Sequence, residues 1–139
     1  MKRKPPTLAK LKKIAWKLLS ECIRREAADG SGYVQCYTCT WVGHWSASQA
    51  GHAIGGRTGA VLFEEDIIRP QCYRCNVPLH GNYGVFAARL IAENGENWYS
   101  KKLFDSRQIK KWSRVELLSL IEEYKARLAA LDEYSHIQI

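Results

Sequence analysis

Two Cys-x2-Cys pairs, Cys36-Tyr37-Thr38-Cys39 and Cys72-Tyr73-Arg74-Cys75, are separated by 32 residues in a chain of 139. Each such turn places two sulfurs near one point, and four thiolates suit tetrahedral Zn2+. A closed site of this kind keeps no open coordination position, so its zinc would hold the fold rather than do chemistry. Its contribution to folding would be on the order of 10 kcal/mol, against about 5–15 kcal/mol for the net stability of a typical domain. The fifth cysteine, Cys22, falls on an apolar helical stripe and is expected to be a small core residue.

Zinc accounts for the cysteines but not for what lies among them. Between the pairs stands Gln49-Ala50-Gly51-His52-Ala53-Ile54, with Arg57 shortly after. Asn76 follows the last cysteine directly, and Leu79-His80-Gly81-Asn82 comes next. This set suits phosphodiester hydrolysis. A neutral imidazole, His52, would be the general base that activates water. A divalent ion, Mg2+ or Mn2+, would stabilise charge on the phosphate and the leaving oxygen. Such hard ions take oxygen ligands and retain waters, so Asn76 with few partners is enough to hold one. His80, four residues on, would share a helical face with Asn76. Arg57 would hold the phosphate.

These residues need elements to position them. Pro5-Pro6-Thr7 reads as a stop and an N-cap, and Leu8, Leu11, Ile14, Ala15, Leu18, Leu19 and Cys22 recur at helical spacing, predicting an amphipathic helix over about 7–28. Tyr33, Val34, Tyr37, Trp41 and Val42, among many glycines, predict short twisted strands across 33–68. Helical patterns return from about Pro78 to Asn94 and over Asn97 to Phe104. Ser113-Arg114-Val115-Glu116 is a capping box opening a helix to about Glu133, with Leu117, Leu120, Ile121, Tyr124, Leu128 and Leu131 as its apolar stripe. That stripe packs within the monomer or against a second copy. The expected organisation is a basic N-terminal helix (1–30), a zinc-bound core (31–95) and a C-terminal helical region (96–139).

The net charge of +7 is unevenly placed. Residues 1–25 hold nine bases against Glu21, and the cluster from Lys101 to Arg114 holds six against Asp105. Concentrated positive charge beside a neutral domain suits a polyanion, nucleic acid foremost. Lys10, Lys12, Lys13, Lys17, Arg74, Lys101, Lys102, Lys110 and Lys111 are the candidate DNA-binding residues, and Trp16, Tyr37 and Trp41 are candidates to stack on unpaired bases. No apolar run approaches the roughly 18 residues of a membrane span, and no secretory h-region follows the basic N-terminus. A cytoplasmic protein without membrane partners is expected, in which cysteines serve metal rather than disulfides.

The pattern Cys36-x2-Cys39, His52, Cys72-x2-Cys75-Asn76 resembles that of the HNH, or ββα-metal, nucleases with a four-cysteine zinc site, and phage recombination endonuclease VII in particular. The longer run Ala50-Gly51-His52-Ala53-Ile54, Arg57-Thr58, Leu62-Phe63-Glu64-Glu65, Pro70-Gln71-Cys72-Tyr73-Arg74-Cys75-Asn76, Gly81-Asn82 is similar to the lambdoid phage NinG, or Rap, recombination endonucleases. So is the tail, with Trp98-Tyr99, Ser106-Arg107-Gln108, Lys110-Lys111-Trp112 and Glu122-Glu123-Tyr124-Lys125. The resemblance implies an α+β fold with a small zinc-stapled ββα-metal core. It implies a metal-dependent endonuclease of branched DNA, such as Holliday junctions and D-loops, encoded by a bacteriophage and acting in the host cytoplasm. His52 maps to the general base and Asn76 to the catalytic-metal ligand.

Two positions depart from the family pattern. Gly51 stands where many such nucleases carry a metal-binding Asp, leaving His80, Asn82, Glu65 and Asp66 as candidates to complete the site. Asp66-Ile67-Ile68 stands where the middle Asn is usual. A symmetric junction cut on two strands calls for a homodimer, with phage recombination proteins as further partners. The alternatives are an HNH nuclease of ordinary duplex DNA, a zinc-held DNA-binding module without chemistry, and a zinc-organised protein-interaction domain.

Overall fold

The computed structural model describes residues 3–55 and 59–137, the last three by backbone alone. Helices and strands follow in the order α1 (Leu8–Ala27), β1 (Tyr33–Gln35), β2 (Val42–His44), β3 (Gln49–His52), β4 (Ile68–Gln71), α2 (Tyr73–Asn76), α3 (Tyr83–Asn94), α4 (Glu96–Ser106) and α5 (Arg114–Ile137). The protein is mixed α+β, with two small two-stranded sheets. No helix among the described residues is long and apolar enough to cross a membrane.

The two long helices, α1 and α5, begin where their caps predict. Thr7 Oγ1 accepts from Lys10 N at 3.2 Å, satisfying one of the orphan amides of the first turn. At α5 the capping box closes both ways: Glu116 N donates to Ser113 Oγ at 3.1 Å, and Ser113 N donates to Glu116 Oε1 at 3.3 Å. Leu11, Ala15, Leu19 and Cys22 form the buried stripe of α1. Against it pack Leu117, Ile121 and Tyr124 of α5, together with Ile67 and Ile68 beside and on β4. The two long helices run parallel, because successive contacts advance together along both. Arg114 reaches Pro6 O, Cys22 Sγ meets Tyr124 O, and Arg25 pairs with Asp132. Cys22 is fully buried in this seam, as expected, and burial pushes its thiol up to about 11.

The sheets carry the cysteines. In the antiparallel β1/β2 pair Val34 faces Gly43, and the first Cys-x2-Cys turn lies between these strands. In the antiparallel β3/β4 pair Gln49 faces Gln71 and His52 faces Ile68. The second Cys-x2-Cys turn starts directly after β4 and forms α2. Tyr37 N donates to Pro70 O at 2.9 Å, joining the first turn to β4.

The segment 77–82 differs from the expected helix starting near Pro78. α2 stops at Asn76, and α3 starts only at Tyr83. Between them His80, Gly81 and Asn82 all have positive φ, at 50°, 95° and 49°, where a helix cannot continue. Gly81 N bonds back to Cys75 O at 2.8 Å, so the cysteine turn, rather than helical propensity, decides the path. His80 and Asn76 therefore do not share a helical face.

Candidate functional site

The four sulfurs of Cys36, Cys39, Cys72 and Cys75 all lie within 4.8 Å of one another. A tetrahedron with Zn–S bonds of about 2.3 Å has edges of about 3.8 Å, and Cys39 and Cys72 are 3.6 Å apart. Donors surround the cluster. Trp41 N donates to Cys39 Sγ at 3.4 Å, and Asn82 Nδ2 to Cys75 Sγ at 3.8 Å. The Thr38 hydroxyl lies 3.5 Å from Cys36 Sγ.

The thiols polarise against one another. Burial opposes ionisation of Cys36, but the Thr38 hydroxyl and backbone donors prevail and lower it to about 6. The Trp41 amide favours the Cys39 thiolate, but burial and the crowding of the other sulfurs prevail and raise it to about 12. Fully deprotonated, the four sulfurs would need a cation among them, and the donor set fits a structural metal such as zinc, on which no open position would remain.

A cleft of about 590 Å3 opens beside this cluster, lined by residues of α1 (Trp16, Ser20, Arg24), by β3 and the residue before it (Ser48, Gln49, Ala50, His52), and by Asn76, Val77, His80, Gly81 and Tyr83. It thus brings together His52, Asn76 and His80, which are separated in sequence. His52 is 6% exposed. Its ring stacks on Trp16 at 4.7 Å between centroids, and its Nε2 lies 3.0 Å from Leu62 O. A carbonyl only accepts, so Nε2 carries the proton and, in the neutral ring, Nδ1 carries the basic lone pair. Trp16, a candidate base-stacking residue, thus packs on the histidine. Asn76 is half-buried, and its Nδ2 donates to Gln49 Oε1 at 2.6 Å, which turns Oδ1 the other way.

Gly51 and His52 are neighbours on a strand and point to opposite faces. On the Gly51 side, a Cβ would lie 3.0 Å from Asn76 Oδ1 and well inside contact distance of Gln71 Oε1. Gln71 is fully buried. Its Nε2 donates to Thr38 Oγ1 at 2.9 Å and to Gly81 O at 2.8 Å. Its Oε1 has no hydrogen-bond partner, a condition that costs about 1–3 kcal/mol in a buried acceptor.

Of the other residues considered for the metal, only His80 reaches the cleft. Glu65 receives both Arg127 Nη1 and Nη2, at 2.9 and 2.8 Å. Asp66 takes Lys102 Nζ at 3.1 Å, and Asn82 Nδ2 is directed to Thr38 O and Cys75 Sγ. Arg57 lies outside the described residues. Arg24, which sequence reasoning placed only in a general basic run, lines the cleft instead. It is held by Ser20 and by the Trp45 and Ser48 carbonyls. Its position four residues after Ser20 and eight after Trp16, on one helical stripe, is the signal that could have marked it.

The basic candidates divide. Lys10, Lys13 and Lys17 on α1, Arg74 on α2, and Lys101 and Lys111 are exposed, and Lys12 is half-buried. Lys102 instead pairs with Glu64 and Asp66, with 14% of its side chain exposed. Lys110 pairs with Glu116 at 2.6 Å and lies over the Trp112 ring. Tyr37 is not available for stacking on bases: it is buried against Phe86 and donates to Glu93 at 2.7 Å. Trp41 packs on the cysteine cluster.

Neither the curated proteins nor the solved structures provide a match to this chain. The family model described as Bacteriophage Lambda NinG protein matches residues 2–134, nearly the whole sequence, and the chain therefore belongs to the NinG family.

Proposed function

We propose that the protein is a divalent-metal endonuclease that hydrolyses phosphodiester bonds in branched recombination intermediates, Holliday junctions and D-loops among them. The observation that carries this reading is one cleft holding an imidazole with a fixed tautomer, a carboxamide and a second histidine. The β3–β4–α2 succession is consistent with a ββα-metal unit, and the preference for branched DNA follows from the resemblance to phage recombination nucleases.

In this mechanism His52 Nδ1 removes a proton from water as its oxygen bonds to phosphorus and the bond to the leaving sugar oxygen breaks. The Leu62 carbonyl holds the ring and stabilises the imidazolium that forms. Trp16 restricts its rotation. Asn76, with His80 on the same wall, would hold Mg2+ or Mn2+, which when bound stabilises charge on the phosphate and the leaving oxygen. Arg24 faces the scissile phosphate from α1, while the exposed lysines of α1 hold flanking phosphates without reading sequence. Two copies acting on one symmetric junction would place the paired cuts.

Cleavage of a synthetic four-way junction in Mg2+, with excess linear competitor, tests the proposal. His52→Ala is expected to lose about 10²–10⁴-fold in cleavage rate while binding the junction as before. Undiminished cutting by His52→Ala would remove the base assignment. Equal cutting of junction and linear duplex would make the protein an ordinary duplex nuclease.

A further inference from the structure

Building on the nuclease reading, we propose that Gln71 is a further protein ligand of the divalent cation, beside Asn76 and His80. Its Oε1 and Asn76 Oδ1 form a carboxamide pair that takes the place of the acidic side chain absent at position 51.

The orientation of Gln71 is fixed. Gly81 O can only accept, so the nitrogen faces it at 2.8 Å and the oxygen faces Gly51. That oxygen is buried and unpartnered, although the rest of the side chain is fully bonded. It lies well inside contact distance of the point a residue-51 Cβ would occupy, and Asn76 Oδ1 lies 3.0 Å from that point. Any side chain at 51 would displace the Gln71 oxygen, so glycine there leaves both oxygens turned toward one point.

Both carboxamides are anchored by neighbouring sulfurs. Gln71 precedes Cys72 and Asn76 follows Cys75, so the structural metal sets their spacing. Asn76 lines the cleft, whereas Gln71 lies deeper. Carbonyl oxygens are hard donors suited to Mg2+ or Mn2+. Being neutral, the pair leaves more of the charge balance to the DNA phosphate than a carboxylate would, so cation binding tightens when DNA is present. Glu65 and Asp66 are engaged by Arg127 and Lys102.

The test uses the zinc-loaded full chain without DNA, titrated with Mn2+. In 15N-labelled wild type, the side-chain amide signals of Gln71 and Asn76 are expected to broaden first. Gln71→Ala, with zinc content and circular dichroism unchanged, is expected to bind Mn2+ at least about tenfold more weakly. Gly51→Asp combined with Gln71→Ala is expected to restore binding, which a merely structural role for Gln71 would not produce. Unchanged Mn2+ affinity in Gln71→Ala overturns the assignment. So does a Gln71 signal that stays sharp while Asn76 broadens, a result that stands even where the variants do not fold. Mn2+ binding through this pair in a protein that leaves junctions uncut would overturn the nuclease reading and leave the ligand assignment in place.

Discussion

The molecule is held together in two different ways on either side of its cleft. On one side, Leu19, Ile67, Ile68, Leu117 and Tyr124, all at most 1% exposed, close a continuous apolar core between α1, α5 and β4. On the other, among the described residues, the cysteine cluster has only Trp41 as a partly buried apolar neighbour besides Cys39. The first side is stable through area removed from water; the second is built from four sulfurs that could hold a metal. The proposed base and the proposed cation ligands fall on different sides of this divide. His52 is tied to α1 through Trp16 and to the core through Leu62. Asn76 and Gln71 are tied to the cysteines. Such an arrangement allows the metal half to be perturbed without moving the base.

Removal of the structural metal is the largest perturbation of this comparison. Chelation, or Cys72→Ala, is expected to cost on the order of 10 kcal/mol locally and to abolish cleavage by releasing Asn76 and Gln71. Most of the helical circular dichroism should survive, because α1 and α5 bury their stripes against each other. Loss of all helicity in a single transition on chelation would show one cooperative unit and end the division.

The opposite perturbation is Leu19→Ala, which opens the apolar side. It should lower unfolding free energy by about 2–5 kcal/mol, measured by urea denaturation, and leave zinc content at one ion per chain. Loss of zinc from this variant would mean that the core, too, supports the sulfur cluster.

On both sides, what the sequence discloses depends on how local its cause is. The cysteine pairing, the Thr7 cap, the capping box at Ser113 and the stripe of α1 are local patterns with local causes, and the structure reproduces them. What was not legible depends on distant partners. The helix expected from Pro78 gives way because Gly81 bonds back to Cys75 and Gln71 bonds to Gly81. Glu65 and Asp66 are candidate ligands by residue type, but Arg127, 62 positions along from Glu65, and Lys102, 36 along from Asp66, bind them. Nothing in the residue type of Gln71, at the end of β4, singles it out; only its unpartnered oxygen, fixed by contacts to Thr38 and Gly81, distinguishes it. His52, Asn76 and His80 were marked by residue type and proximity to cysteines, but their shared cleft is a property of the fold.

Arg127 of α5 bridges Glu26 of α1 and Glu65 of the turn that precedes β4. Its hydrogen bonds to both carboxylates outweigh its burial and hold the guanidinium more firmly charged than usual. These glutamates are 39% and 41% exposed, so solvent screens the pairs. Arg127→Met should therefore cost only about 1 kcal/mol, with a smaller loss in high salt. A loss independent of salt would locate the contribution in the guanidinium's contact with the Tyr124 ring, 5.7 Å to its centroid, rather than in the two ion pairs.

The smallest expected effect concerns how DNA approaches the divide. Lys13 and Lys17 are exposed, and each stands three residues before a cleft-lining residue of α1, Trp16 and Ser20. Helical geometry therefore places them beside the cleft on the apolar side. Each would neutralise one phosphate and release its counterions. Replacing either with Ala should reduce the slope of log binding constant against log salt by about 0.9, shift all sequences equally, and leave the cleavage rate at saturation unchanged. Lys102, engaged by Glu64 and Asp66, should give almost no change in slope when replaced. If Lys102→Ala alters the slope as much as Lys17→Ala does, DNA must cross α4 and displace those acids, and the binding surface then extends away from the cleft rather than along α1.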